Sequence, residues 1–317
     1  MLFNSLQFLV FFAFVLSMYY ALPHSRRWIL LLLVSSYFYM VFVPAYVLIL
    51  FAVILLDYFS AFLIDRCSGT RRKLFLGLSL AGNLGILFYF KYYNFFLENL
   101  SLALNAFQVE NPLPFIEVVL PIGLSFHTFQ AMSYTIEVYR GNQKPEKHLG
   151  IYALYVLFFP QLVAGPIERP QNLLHQLKEK INFSRANLRT GLLYMAWGFF
   201  KKAVIADRLA EVADDCFNNW WMQNTSSMWL GVIFYSIQIY CDFSGYSDIA
   251  IGAARTMGIH LMENFKNPYL SFSITEFWRR WHISLSSWFK DYVYVPMGGN
   301  KVSPKRFCFN IGVVFLL

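Results

Sequence analysis

Three polar clusters interrupt an apolar sequence, and each has residue types that do chemistry. The densest is Thr275-Glu276-Phe277-Trp278-Arg279-Arg280-Trp281-His282-Ile283-Ser284-Leu285-Ser286. A histidine titrates near neutral pH, so His282 beside serine hydroxyls suits general-base work. Helical spacing predicts that Trp278, His282 and Ser286 share a face. The competing reading is an interfacial helix anchored by tryptophan and arginine, with His282 a structural donor. The second cluster is Tyr240-Cys241-Asp242-Phe243-Ser244-Gly245-Tyr246-Ser247-Asp248. Its carboxylates, hydroxyls and phenols could hold a cavity open and orient a catalytic group, with Asp242, Ser244 and Tyr246 the candidates. Alternatively Gly245 allows a bend and an aspartate caps a helix. The third is Phe200-Lys201-Lys202-Ala203-Val204-Ile205-Ala206-Asp207-Arg208. Lys201 and Lys202 could meet an anionic cofactor such as a coenzyme A phosphate, and Asp207 could pair with Arg208. Snorkelling cations at a cytoplasmic interface are the competing reading.

Other ionisable groups carry less. His127 is expected to pack against a neighbouring helix, and His24, His148, His175 and His260 to lie in boundary stretches. Asp57 is a lone acid in an apolar run, either a hydrogen bond between helices or a partner for a basic group. The widely separated Cys67, Cys216, Cys241 and Cys308 have no metal-ligand spacing, so no metal site is expected. No GxGxxG, Walker loop or HExxH is present.

The elements that must position these clusters follow from composition. Apolar residues make up 57% and charged residues only 14%, against roughly 45–50% and about 25% in a soluble domain. So little charge cannot cover a water-facing surface. A soluble enzyme, a disordered chain and a disulfide scaffold are excluded, and a multi-pass α-helical membrane protein remains. The net charge of +8 falls largely in loops between apolar runs, as cytoplasmic loops require. It points to a lipid bilayer and not to nucleic acid.

Leu2 to Leu22 reads as a first span. Trp28 to Ile64 is too long for one span and predicts a hairpin broken at Pro44. Leu74 to Phe90 predicts another span, followed by a loop over 94–112. Phe115 to Val138 crosses back. Gly150 to Ile167 is broken by Pro160, Gly165 and Pro166 and should dip in and return beside a buried site. Residues 191–210 and 228–259 are further apolar segments. Residues 266–300 suit an amphipathic interfacial segment, and Phe307 to Leu317 starts a last apolar run.

Five ordered stretches resemble the membrane-bound O-acyltransferase family, in its bacterial branch typified by alginate O-acetyltransferase. They are Pro121–Gly141, Phe159–Ile167, Lys201–Ala210, Tyr240–Ile251 and Phe265–Asn300. The resemblance implies one membrane domain over 1–317: an all-α disc with re-entrant segments and funnels from both faces, in the bacterial inner (cytoplasmic) membrane. It implies acetyl transfer from a cytosolic donor, acetyl-CoA, towards a cell-surface polysaccharide such as alginate, completed by a periplasmic or surface acetyltransferase partner. No bound cofactor is implied. His282 falls on a polar position of the family's active region. Trp278, Arg279, Arg280 and Ser284 surround it, and Lys201, Lys202 and Asp207 lie on the donor's approach. The family's principal histidine, in a Trp-His-Gly context, has no counterpart here, so the chain is expected to be truncated at its C-terminus; the resemblance implies that in the complete protein that histidine acts as general base, with His282, oriented by Asp242, assisting or binding the acyl group. A non-catalytic scaffold recruiting a surface enzyme and a small-solute transporter are the alternatives.

Overall fold

The computed structural model describes every residue except Leu2, Glu110, Pro112, 117–120, Ile122, Ala164 and Leu317, and the described residues form helices and loops with no strand. Helix α1 (Leu6–Ala21) starts at Ser5, whose hydroxyl oxygen accepts the Phe8 N–H at 3.2 Å, a side-chain N-cap. Helices α2 (His24–Met40) and α3 (Tyr46–Arg66) form the hairpin expected around Pro44. Helix α4 (Gly69–Leu87) does not stop where a loop was expected. It continues through a π-helical turn, Phe88–Tyr92, into α5 (Tyr93–Ala106). The stretches Tyr46–Arg66 and Gly69–Ala106 are long and apolar enough to cross a membrane, while Leu6–Ala21 and Leu149–Gln161 are apolar but shorter.

Helix α6 (Leu124–Arg140) covers the second half of the crossing expected from Phe115; residues 117–120 and 122 lie outside the described set. It begins after Gly123, in left-handed backbone at φ 71°, where a Cβ would meet the Leu162 carbonyl oxygen at 2.2 Å. Helix α7 (Leu149–Leu157) breaks before a 3₁₀ turn at Phe159–Gln161, followed by the short α8 (Pro170–Leu173). The break frees backbone groups that must find other partners. The Tyr155 carbonyl accepts from the amides of Gln130 and Gln161, both at 2.7 Å, and the Phe159 N–H donates to Ser35 Oγ at 3.0 Å.

The buried acid resolves its two readings. Asp57 accepts from Ser79 Oγ at 2.6 Å and from Asn83 Nδ2 at 2.9 and 3.0 Å, and Ser79 Oγ also lies 2.9 Å from Thr135 Oγ1. It ties α3, α4 and α6 together by hydrogen bonds, without a basic partner.

Helix α9 (Arg185–Phe199) passes through a π-helical stretch, Phe200–Ala206, into α10 (Asp207–Asn218). It packs antiparallel to the long α11 (Thr225–Thr256) at glycines. A Cβ on Gly191 would stand 2.6 Å from the Gly252 carbonyl oxygen, and one on Gly198 2.6 Å from that of Gly245. Gly245 therefore permits close backbone approach. It makes no bend, because α11 is unbroken there.

Cross-links gather the basic loops at one end of the bundle. Tyr20 OH donates to the Thr256 carbonyl at 2.7 Å, Arg27 to that of Ile181 at 2.5 Å, Arg72 to that of Tyr139 at 2.6 Å, and Arg140 to that of Asp291 at 2.8 Å. From this basic end, residues 257–273 return along α11 with only one 3₁₀ turn, Pro268–Leu270. Tyr269 OH reaches the Ser236 carbonyl at 2.5 Å. Ser236 stands roughly 30 Å along α11 from Thr256 at about 1.5 Å per residue. This stretch replaces the first part of the expected interfacial segment. The chain then descends through α12 (Ile274–Arg280), α13 (Ile283–Phe289) and a π-helical turn, Lys290–Tyr294, and α14 (Pro304–Leu316) follows.

Candidate functional site

The descent breaks at the histidine singled out from the sequence. Trp281 ends α12 in extended backbone (φ −99°, ψ 126°) and His282 is left-handed (φ 43°, ψ 55°). The continuous face expected for Trp278, His282 and Ser286 therefore does not form. A residue with a Cβ resists this conformation, and Asn264 from the irregular stretch holds it. The Asn264 carbonyl accepts the Ile283 N–H at 2.9 Å. Its side-chain Oδ1 accepts both the Ser284 N–H at 3.2 Å and the Ser284 hydroxyl at 2.7 Å. Asn264 thus caps α13 from outside the helix, and Ser284 is part of that anchor.

His282 is 4% exposed, and its ring packs 4.6 Å from Phe243, 6.0 Å from Phe126 and 6.3 Å from Phe265. Its Nε2 is buried with no hydrogen-bond partner among the described residues. Asp242, expected to orient it, faces elsewhere; the neighbouring Phe243 makes the contact.

Beside this break lies a cavity of about 710 Å³, lined by Lys201, Tyr240, Asp248, Asn264, Phe265 and Arg280 among others. Lys201 Nζ lies 2.5 Å from Asp248 and 3.0 Å from Ser244 Oγ, with the Tyr240 ring 5.8 Å away. Lys202 pairs with Asp242 and, at 2.7 Å, with Asp207, and stands 5.3 Å from the Tyr246 ring. Arg208 turns to Glu211 at 3.3 Å, so the Asp207–Arg208 pair expected from sequence does not form. Lys201 and Lys202 do not snorkel at the basic end. They stand roughly 24 Å from Arg185 along the helix at about 1.5 Å per residue, where pairing with carboxylates offsets part of the desolvation cost. Neither Asp242 nor Asp248 caps a helix, because both point at lysines in mid-helix.

Arg280 pairs with Glu276 at 2.5 Å, and Arg279 is exposed. Trp278 faces away from the cavity into an apolar groove of about 310 Å³ with Leu285, Ser286, Phe289, Val314 and Phe315. His127 is buried against Tyr39, at 5.9 Å between rings, in the packing role expected of it. His148 caps α7 through Nδ1. His260 sits at the basic end, where burial and then the Arg255 charge lower its pKa below the ordinary value. Among the described residues no three His, Cys, Asp or Glu side chains gather to hold a metal, and the four cysteines are free thiols.

Sequence reasoning missed Asn264 and Glu168, whose Oε1 accepts the Met262 N–H at 2.5 Å and steadies the same stretch. The only local signal for Asn264 was a Glu263-Asn264 pair between apolar residues.

The family model for membrane-bound O-acyltransferases matches residues 148–317, which contain the break, the cavity and both lysines. The chain belongs to this family. This family member is 43% identical over 308 residues to a probable alginate O-acetylase of Pseudomonas putida, covering 95% of the chain and 62% of the relative. It is 35% identical over 333 residues to a peptidoglycan O-acetyltransferase of Helicobacter pylori (96% and 62%). It is 33% identical over 184 residues to a teichoic acid D-alanyltransferase of Bacillus subtilis (55% and 45%). The chain thus spans about three fifths of the length of the first two.

Proposed function

We propose that this chain forms the membrane core of an O-acyltransferase that passes an acetyl group from acetyl-CoA towards a cell-surface polysaccharide such as alginate. The observation that carries the reading is the buried, unpartnered Nε2 of His282 at a helix break beside a polar cavity. Acyl transfer to a hydroxyl needs a base within reach of the acceptor proton and a site that excludes water. An imidazole walled by Phe126, Phe243 and Phe265 offers an unpaired ring nitrogen in such a place, where it would assist the base or bind the acyl group.

Residues 1–317 are read as one multi-pass domain in the bacterial inner membrane, with the basic end in the cytosol. The stretch 257–273 is read as re-entrant. Irregular backbone at membrane depth is tolerated where it is buried in protein or lines a watery cavity, and Asn264 to Asn267 line the cavity. Acetyl-CoA would enter from the basic end and the acceptor from the other face, so that two funnels meet at the break. A periplasmic or surface acetyltransferase partner would complete the transfer. The names of the Pseudomonas and Helicobacter relatives, an alginate O-acetylase and a peptidoglycan O-acetyltransferase, support acetyl as the group moved.

The test is a sided assay in proteoliposomes, with acetyl-CoA at the basic end and an oligosaccharide acceptor together with the surface acetyltransferase partner at the other. Free CoA should appear on one side and acetyl ester on the other. Solute uptake without acetyl consumption would replace the reading with a transporter. Capture of a surface enzyme without CoA release would replace it with a scaffold.

A further inference from the structure

Asn264 presents a second buried group that the proposed reaction requires and nothing above has used. The side chain is 1% exposed. Its amide orientation is fixed by chemistry. Backbone N–H of Ser284 can only donate, so the atom 3.2 Å from it must be the oxygen Oδ1. The hydroxyl of Ser284 reinforces that choice at 2.7 Å. The NH₂ group therefore points the other way. Nδ2 is buried and has no acceptor among the described residues, and the residue lines the 710 Å³ cavity. A buried amide donor left unsatisfied costs free energy, of order 1–3 kcal/mol. Such groups are few in native structures, and this one borders the cavity of the candidate site.

The placement relative to His282 is rigid. The Ile283 N–H donates to the Asn264 carbonyl at 2.9 Å, so the two residues are tied one peptide unit apart. Phe265, the next residue, faces the imidazole at 6.3 Å. The irregular stretch and the helix break thus set a buried N–H donor that lines the cavity beside the peptide that follows the buried imidazole.

We propose that Asn264 is a catalytic residue of this site, its Nδ2–H donating to the oxyanion formed on the acyl carbonyl during transfer. The proposal rests on the acyltransfer reading above. In the step, the acceptor oxygen adds to the thioester carbonyl carbon, forming a C–O bond, and the carbonyl π pair moves onto oxygen. The histidine base of the site, assisted by His282, takes the hydroxyl proton. Nδ2–H of Asn264 stabilises the oxyanion. Collapse restores the carbonyl and breaks the C–S bond, and the departing thiolate takes the proton from the imidazolium. One ester and one thiol result.

The same residue also anchors α13, and variants separate the two roles. Asn264→Asp keeps an oxygen for both Ser284 bonds and removes the amide donor. Ser284→Ala removes the hydroxyl bond and leaves the donor. Reconstituted protein with acetyl-CoA and acceptor should show kcat for Asn264→Asp lower by about 10²–10³-fold, the usual effect of losing one oxyanion donor, with KM nearly unchanged. Ser284→Ala should lose much less. Asn264→Ala is the second variant, and it should match the Asp variant in kcat once rates are normalised to monodisperse folded protein. Equal losses in Asn264→Asp and Ser284→Ala would overturn the donor role and leave Asn264 an anchor, as would an Asn264→Ala variant with unaltered kcat. Absence of thiol release from the wild type would instead overturn the acyltransfer reading and this proposal with it.

Discussion

His282 carries a backbone conformation that a Cβ disfavours by roughly 1–2 kcal/mol, and strain of this kind collects at functional sites. Its presence at φ 43° yields a direct consequence. His282→Gly should unfold in detergent at a higher temperature than His282→Ala, with a difference of about 1 kcal/mol, although both should lose activity. Equal stability would show that the conformation carries no strain. The lysine pairs make a second consequence. Lys201 and Asp248 are both largely buried, and breaking such a pair from one side typically costs about 3–5 kcal/mol. Asp248→Asn should therefore destabilise the protein strongly, and the apolar double variant Lys201→Met/Asp248→Leu should recover much of the loss. An Asp248→Asn variant with unchanged thermal unfolding would contradict this account of the pair. At this scale the sequence disclosed the residue types and not their partners. His282 was recognisable among its hydroxyls. Asn264 was not, because it bonds Ile283 and Ser284, next to His282, from an irregular stretch 19 and 20 residues earlier. Asp242 was misassigned for a similar reason, since its lysine lies 40 residues away.

The elements were legible where apolar length and proline decide them. The hairpin at Pro44 and the break at Pro160 both stand where those residues predict. Legibility failed where tertiary contact overrides local signal. Gly245 looked like a bend, yet it lies inside an unbroken helix because Gly198 of α9 approaches it. The Trp278–Ser286 run looked like one helix, yet bonds from Asn264 stabilise a left-handed residue within it. The α9–α11 contact also supports a prediction. A Cβ on Gly252 would stand 2.5 Å from the Gly191 carbonyl oxygen, with backbone on both sides. Gly252→Val should lower stability by about 1–3 kcal/mol through overpacking. It should also lower activity by displacing Asp248 and Ser244, one turn or two along the same helix. Thermal unfolding in detergent checks the first effect. Full stability in that variant would contradict the close packing of α9 on α11.

Across the whole molecule, one end of the bundle collects the basic loops, and a stretch without regular structure runs back from it towards the other end. Helix α11 spans 32 residues, about 48 Å at 1.5 Å per residue, longer than a hydrocarbon core of ~30 Å. On the proposed topology α11 crosses that core, and the turn before it lies on the face opposite Thr256. With native cysteines replaced, Lys180→Cys and Met222→Cys should label with an impermeant maleimide from opposite sides of sealed vesicles. Labelling from the same side would contradict the crossing of α11 and the separate entry of donor and acceptor. Composition foretold a helical membrane protein, but it could not foretell that scarce charge would pair internally around a cavity instead of marking loops alone. The central claim is that acyl transfer happens at the break between α12 and α13. The most direct measurement is the rate of acetyl transfer from acetyl-CoA by reconstituted wild type and His282→Ala at equal folded protein. The account predicts a loss of about 10²-fold or more, the scale of a positioned acid–base group, with the thermal transition retained. Unchanged turnover in His282→Ala would contradict it.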